Sequence, residues 1–243
     1  MKIGEIEFLY LAHASFLFRT PQGKTLLTDP FFAGGFEWHG RWEKHLSPPE
    51  LGVRDVRECD VIFVSHSHGD HFDPDAILSI QERTEARVLA AGEILEVLRK
   101  KGADVSRLVE ATEGACHGLG DLAVRTYAGY DDSYDRLGRP NKFSLLIETG
   151  PTRLFYSGDC HELPPAVRGM SVAAMFCWPH TDAARLEALC RGISASRFVI
   201  MHCDRFEPGD FLCNKDVQAE KRRIETIVPG IEVVVPERHS ALP

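Results

Sequence analysis

One short segment constrains this chain more than any other, because an apolar run is followed at once by four side chains that can bind a metal. The apolar run is Val61–Ser65, and the segment after it reads His66-Ser67-His68-Gly69-Asp70-His71. The β-branched and aromatic residues of the apolar run predict a buried strand. His66 and His68 are two residues apart, so in extended backbone both side chains point to one side. Asp70 and His71 follow the turn at Gly69 and can reach a second cation nearby, so this segment predicts a metal-binding loop.

The rest of the chain predicts an α/β fold. Short strands come first, and from Val61 onwards apolar strands alternate with helices, which indicates two sheets flanked by helices. Asp73 is the predicted N-cap of the first helix, and Gly102 is placed to end the second. We expect Phe31 to Pro49 to form a long loop. The predicted strands are Glu7–Leu11, Ser15–Arg19, Thr25–Thr28, Val61–Ser65, Val88–Ala91, Leu122–Tyr127, Ser144–Glu148, Arg153–Ser157, Val172–Cys177, Phe198–His202 and Glu232–Val235, and the helices are Pro74–Arg83, Glu93–Lys101, Asp182–Arg191 and Asp216–Ile227.

The composition limits the partners. The chain has 28 Lys and Arg against 36 Asp and Glu, a formal net charge of −8. Nucleic acids are held by clustered Lys and Arg, so we expect a small-molecule substrate instead. The seven cysteines are irregularly spaced and do not suggest a disulfide framework. The longest apolar run, Val172 to Trp178, is too short to span a membrane. Without a recognisable secretory signal, the expected compartment is the cytoplasm, and a homo-oligomer is left open.

These motifs resemble those of a known family. HSHGDH resembles the H-x-H-x-D-H signature of the metallo-β-lactamase fold superfamily. Asp159 in LFYSGDCHE resembles the family's metal-bridging aspartate, and His202 in FVIMHCD its last metal-binding histidine. LAHASFLF around His13 and LLTDPFF around Asp29 resemble one branch of that superfamily. The branch contains L-ascorbate-6-phosphate lactonases and N-acyl-phosphatidylethanolamine phospholipase D-like hydrolases.

The resemblance implies a fold, a cofactor and a reaction. The fold is a four-layer αββα sandwich, with residues 1–243 forming a single domain. The cofactor is a pair of divalent metal ions, zinc first, with manganese or iron as alternatives. The reaction is hydrolysis of a small-molecule ester, lactone or phosphoester by a metal-bound hydroxide. The implied metal ligands are His66, His68, Asp70, His71, Asp159 as the bridge, and His202.

One position departs from the family pattern. A third histidine of the first metal site is expected between the signature and the bridging aspartate, where this chain reads RTYAGYDDSYDRLGRPN. Tyr130 matches that histidine best, and Asp131 and Asp132 beside it are possible oxygen ligands. A phenol is a poorer zinc ligand because it must ionise from a pKa of about 10. The first site is therefore weaker, differently ligated with Asp131, or empty, whereas the other site has all of its expected ligands.

Further residues are candidates for chemistry or support. Asp70, Tyr130 and His180 are the candidate catalytic residues; His180, in FCWPHTD, is a substrate contact or proton donor, or else an ordinary loop residue. His13 either faces the metal cleft or makes a structural hydrogen bond beneath it. Asp29 precedes a proline at a strand end and is expected to support a ligand instead of binding metal. His45 is expected to face solvent, and Trp38 to line the mouth of the pocket.

Two rival functions remain open. A phospholipid-type phosphodiesterase predicts an exposed apolar patch or groove around the Phe31–Trp42 segment. A non-catalytic metal-binding protein with a degenerate first site is suggested by Tyr130 standing where a histidine is expected.

Overall fold

The computed structural model describes residues 1–129, 138–179, 182–208 and 216–238. Within these ranges it contains four α-helices, nineteen short strands and three 3-10 helices, Val53–Asp55, Val105–Arg107 and Pro165–Val167. The helices are α1 (Pro74–Thr84), α2 (Gly92–Lys100), α3 (Ala183–Gly192) and α4 (Val217–Ile227). The strands are β1 (Lys2–Ile3), β2 (Ile6–Ala12), β3 (Ser15–Arg19), β4 (Thr25–Thr28), β5 (Gly35–Trp38), β6 (Arg41–His45), β7 (Val61–Val64), β8 (Arg87–Ala90), β9 (Leu108–Glu110), β10 (Cys116–Leu119), β11 (Leu122–Ala128), β12 (Phe143–Thr149), β13 (Thr152–Tyr156), β14 (Ser171–Val172), β15 (Ala174–Cys177), β16 (Ser194–Ala195), β17 (Arg197–Ile200), β18 (Phe206–Glu207) and β19 (Glu232–Val234).

Two seven-stranded sheets are built on the same plan. The first has the order β1-β2-β3-β4-β7-β8-β9, and the second has the order β10-β11-β12-β13-β15-β17-β19. In each sheet the first four strands pair antiparallel with their neighbours, and the fourth to seventh strands run parallel to one another. The carboxyl ends of parallel strands share one edge of a sheet, and loops at that edge commonly form binding sites.

The sheets pack face to face through aromatic side chains. The Phe176 ring of the second sheet lies 5.1 Å from the rings of Phe8, Phe16 and Phe18 in the first. Helices α1 and α2 bury Ile77, Ile80 and Leu98 against the first sheet, whereas α3 and α4 bury residues against the second. The layers are therefore α, β, β and α, and the predicted αββα sandwich is confirmed.

Local sequence signals explain the helix starts. The side chains of Asp73, Asp182 and Asp216 accept hydrogen bonds from backbone N–H groups in the first turns of α1, α3 and α4. Gly102 follows α2 with φ of 95°, a conformation that glycine adopts without strain. Among the described residues, no helix combines the length and apolar character needed to cross a membrane.

The long loop predicted for Phe31 to Pro49 is wrong, because this segment contains a hairpin. Strands β5 and β6 pair from Gly35↔Lys44 to Trp38↔Arg41, and β18 extends them into a small third sheet. The two turn residues, His39 and Gly40, both have positive φ, which is the geometry of a type I′ turn. A histidine before the glycine is a weaker hairpin signal than Asn-Gly, and Trp42 is the one apolar residue in the second strand, Arg41–His45.

Candidate metal centre

The predicted ligands meet where the carboxyl edges of the two sheets face each other. The His66–His71 loop follows β7 in the first sheet, whereas Asp159 and His202 follow β13 and β17 in the second. Gly158, with φ of 55°, brings the Asp159 loop so close to the first sheet that a Cβ there would lie 2.9 Å from the Ser65 Cβ. Only glycine fits this approach, which lets a ligand from one sheet reach those of the other.

One group of side chains combines three imidazoles and a carboxylate. Donor atoms of His13, Asp70, His71 and His202 all lie within 4.8 Å of one another, and all four residues are buried. His13 and His202 each place Nε2 3.0 Å from Asp70 Oδ2. His13 sits in the tight turn between β2 and β3 with φ of 53°, and its carbonyl accepts a hydrogen bond from the His202 N–H.

A second group contains His66, His68 and Asp159, again with donor atoms within 4.8 Å of one another. Asp159 also reaches the first group: its Oδ1 lies 3.3 Å from His71 Nε2, and its Oδ2 lies 3.4 Å from His202 Nε2 and 3.7 Å from His66 Nε2. This carboxylate therefore stands between the two groups, in the position that a bridging ligand requires.

The arrangement of the donor atoms suits metal binding better than hydrogen bonding between these side chains. His66 Nε2, His71 Nε2, Asp70 Oδ1 and Asp159 Oδ1 are buried and have no hydrogen-bond partner among the described residues. Such atoms are costly unless something else binds them. Bonds of about 2.1 Å to one zinc ion place two ligand atoms roughly 3.0–3.4 Å apart, close to the separations seen here. Imidazole and carboxylate donors suit zinc, manganese and iron.

The electrostatics also favour a cation. Burial would raise the pKa of Asp70, but the charge on His71 and the hydrogen bond from His13 hold it well below its usual range. Burial would likewise raise the pKa of Asp159, but His202 and His71 lower it further. Burial lowers the pKa of His13 to about 4, so its imidazole is neutral. Despite burial, three carboxylates raise the pKa of His71, and a cation bound here would displace that proton.

Asp29 supports the site from behind, as predicted. Its Oδ2 accepts hydrogen bonds from His71 Nδ1 at 2.7 Å, Ser65 Oγ at 2.6 Å and the Tyr156 hydroxyl at 2.6 Å. Its Oδ1 accepts from the Ser65 N–H at 2.6 Å. By holding the proton of His71 on Nδ1, this carboxylate directs Nε2 towards the centre.

The prediction for His45 is wrong, because its side chain is buried. His45 Nε2 lies 2.6 Å from Asp204 Oδ2, and Asp204 also accepts from Tyr10 and pairs with Arg238. The hairpin places His45 under the site, where its ring packs against those of Phe31 and Phe206. Sequence reasoning missed this because it treated the whole segment as a loop.

Two tryptophans flank the centre. The Trp38 ring, on the hairpin, lies 5.3 Å from the His68 ring, and the Trp178 ring, after β15, lies 5.6 Å from the His202 ring. The sequence carried no signal for Trp178 beyond its place at a strand end. Of the predicted site residues, the structure brings together His66, His68, Asp70, His71, Asp159 and His202. Tyr130, Asp131, Asp132 and His180 lie outside the described residues.

Comparison with known proteins agrees with this geometry. Residues 7–168 match the model of the β-lactamase superfamily domain. A UPF0173 metal-dependent hydrolase of Rubrobacter xylanophilus is 30% identical over 65% of this chain and 62% of its own length. A UPF0173 metal-dependent hydrolase of Herpetosiphon aurantiacus is 28% identical over 62% of this chain and 60% of its own. The chain thus spans about 60% of the length of these curated relatives.

A solved structure extends the likeness over nearly the whole chain. The metallo hydrolase Igni18 of Ignicoccus hospitalis superposes with a TM-score of 0.67 over 96% of this chain and 95% of that chain. Its sequence is 16% identical, so the match concerns the fold.

Proposed function

Since the chain belongs to the metallo-β-lactamase superfamily, we propose that it is a metal-dependent hydrolase that holds two divalent cations and cleaves a small-molecule ester, lactone or phosphoester. The observation that carries this proposal is the position of Asp159, whose carboxylate lies within 3.7 Å of histidines from both groups. We also propose that residues 1–243 act as one domain, because the centre takes residues from both sheets.

The proposed ligands divide between two cations. His66, His68 and Asp159 would hold the first, with Asp131 or Tyr130 completing it. Asp70, His71, Asp159 and His202 would hold the second. His13 joins this second set, since its Nε2 lies as close to Asp70 as that of His202 does.

Bound divalent cations would supply a water of lowered pKa and positive charge for the oxyanion that develops. The chain's own residues prepare that chemistry. Asp29 fixes the orientation of His71, and the low pKa of Asp70 keeps its carboxylate ionised at neutral pH. Trp178 packs beside the buried His202, and Trp38 lies beside His68, which stays accessible to solvent. His180 is proposed as the proton donor or substrate contact.

A phospholipid-type phosphodiesterase is the second candidate. It is favoured by exposed apolar side chains in and next to the hairpin, with Trp42 59% exposed and Leu46 43% exposed. A non-catalytic metal-binding protein is the third, motivated by Tyr130.

The test begins with metal content, measured by plasma mass spectrometry on protein purified without chelator or affinity metal. We expect two cations per chain, and hydrolysis of a lactone or of bis-p-nitrophenyl phosphate that disappears in His66→Ala. Lactone cleavage without phosphodiester cleavage would favour a lactonase, and the reverse would favour the phosphodiesterase. One cation or none after incubation with Zn²⁺ and Mn²⁺, together with no turnover, would contradict the proposal and leave a binding role.

A further inference from the structure

A cavity with both polar and apolar lining lies between the segment that follows Asp159 and helix α3. Its volume is about 380 Å³, and Arg168, Arg185, His161 and Glu162 contribute its polar lining. Leu163 and Leu189 form part of its apolar floor. The cavity is large enough for a small acidic group and lies outside the two groups of candidate metal ligands.

The two arginines are exposed to solvent, and each makes a polar contact with a neutral group. Arg185 donates from its guanidinium to His161 Nδ1 at 3.0 Å, and Arg168 donates to the Leu163 carbonyl at 3.4 Å. Neither forms an ion pair with a carboxylate of the described residues, although Glu162 lines the same cavity. On the same helix, Arg191 does form one, with Glu187 at 2.8 Å.

Trp178 lies between His161, which lines this cavity, and the candidate metal centre. Its ring lies 5.7 Å from the His161 ring on one side and 5.6 Å from the His202 ring on the other. His161 also follows Asp159 by only two residues in the chain. A molecule whose reacting group lies at the centre could therefore extend past Trp178 to the arginines.

We propose that this cavity binds an oxyanion of the substrate, a carboxylate or a phosphate, at a distance from the bond that is cleaved. The guanidinium group presents a planar fork of N–H donors that matches the oxygens of a carboxylate or a phosphate. Two such groups in one cavity also provide two positive charges. The inference rests on the proposed hydrolase function and adds a substrate class to it, namely small esters or lactones with a remote acidic group.

Equilibrium binding tests the cavity independently of turnover. The zinc-loaded protein is titrated with succinate and, separately, with inorganic phosphate by calorimetry, as wild type and as Arg185→Gln, Arg168→Gln and Arg191→Gln. We expect the first two variants to weaken binding of at least one anion about tenfold, and the larger loss identifies the preferred oxyanion. Arg191→Gln removes the same charge from α3 outside the cavity and should bind as wild type. Absence of binding by the wild type, or equal weakening in Arg191→Gln, would overturn the proposal.

Kinetics supply the second readout. Mono-4-nitrophenyl succinate and 4-nitrophenyl butyrate share a leaving group, but only the first carries a remote carboxylate. We expect the wild type to have the lower KM for the succinate ester, and Arg185→Gln to reduce that preference about tenfold. A preference unchanged in Arg185→Gln would contradict a role in substrate binding. If neither ester is cleaved, ester hydrolysis fails as a function, while the anion titration still decides whether the cavity is a binding site.

Discussion

At the scale of single residues, Asp29 shows how much of the centre depends on a side chain that we do not propose as a ligand. It accepts four hydrogen bonds, and three of them come from Ser65 and His71 beside the proposed metals. Such supporting carboxylates typically change metal affinity 10–100-fold when they are replaced.

We therefore expect Asp29→Asn to weaken zinc binding about 10–100-fold, because the amide cannot accept the full set of hydrogen bonds. The affinity is measured by competition with a chromogenic chelator. Asp60→Asn serves as the control, since Asp60 accepts hydrogen bonds from Thr25, which lies at the opposite end of β4 from Asp29. Wild-type zinc affinity in Asp29→Asn would show that His71 is oriented by other contacts.

Asp60 itself gives a prediction for pH. Burial would raise its pKa, but hydrogen bonds from Thr25 and Lys24 lower it overall. A carboxyl with a lowered folded pKa stabilises the protein above its unfolded pKa of about 3.9, and that stability is lost as the pH falls through the folded value. We expect Asp60→Asn to lower the free energy of unfolding, measured with urea at pH 7, by about 1–2 kcal/mol. The difference in unfolding free energy between wild type and variant should narrow below about pH 4. A difference that is constant from pH 7 to pH 3 would contradict this.

At the scale of elements, the hairpin and the metal loop depend on each other. A Cβ on Gly69 would lie 2.8 Å from the Cβ of Phe36 in β5, so the loop passes directly against the hairpin. Overpacking of this kind costs about 1–3 kcal/mol. The hairpin thus borders the site and restricts the conformation of the His66–His71 loop.

Gly69→Ala should destabilise the protein by about 1–3 kcal/mol and weaken metal binding, because Phe36 or the loop must move. In a Phe36→Gly background, which removes the Cβ that the new methyl group would meet, the same change should cost much less, and a double-mutant cycle measures that coupling. Gly34→Ala is the matched control, since nothing lies within 4 Å of a Cβ there. Equal costs in both backgrounds would mean that Phe36 is not the obstacle.

Sequence patterns predicted the elements with strong local signals and missed those set by pairing across the chain. Strands such as β7 and helices such as α1 carry continuous apolar runs or an N-cap, and their observed bounds match the prediction within two residues. The short strands β9 and β10 are partly exposed and carry no such pattern. Val172 to Cys177 was predicted as one strand but forms two, β14 and β15, which belong to different sheets.

The site was predictable in composition but not in arrangement. The motif located His66 to His71 because its ligands are adjacent in sequence. The part played by His13 could not be decided, since its distance from Asp70 depends on a strained turn far from the motif. Trp178 and the arginine cavity depend on how α3 packs, which no local pattern encodes.

At the scale of the whole molecule, the proposed ligands come from both sheets, so metal binding should stabilise the entire fold. Binding to the folded state alone adds about 4 kcal/mol when free metal is 1,000 times the Kd. We expect a chelator to lower the midpoint of thermal unfolding, and zinc to restore it. His202→Ala should abolish most of that shift, whereas His39→Ala, an exposed turn residue, should not. An unfolding midpoint insensitive to chelator would mean that the centre holds no metal in solution.

The centre also imposes an order on biosynthesis. His13 and His202 touch across the site, yet 189 positions separate them along the chain. At about 5–20 residues per second, a ribosome needs roughly 10–40 s to travel from the first to the second. His66, His68, Asp70 and His71 are made within that interval, before Asp159 and His202 are available to complete the centre. Ion capture at this stage would be loose and unselective, so we expect the proposed centre to select its metal only when the second half docks.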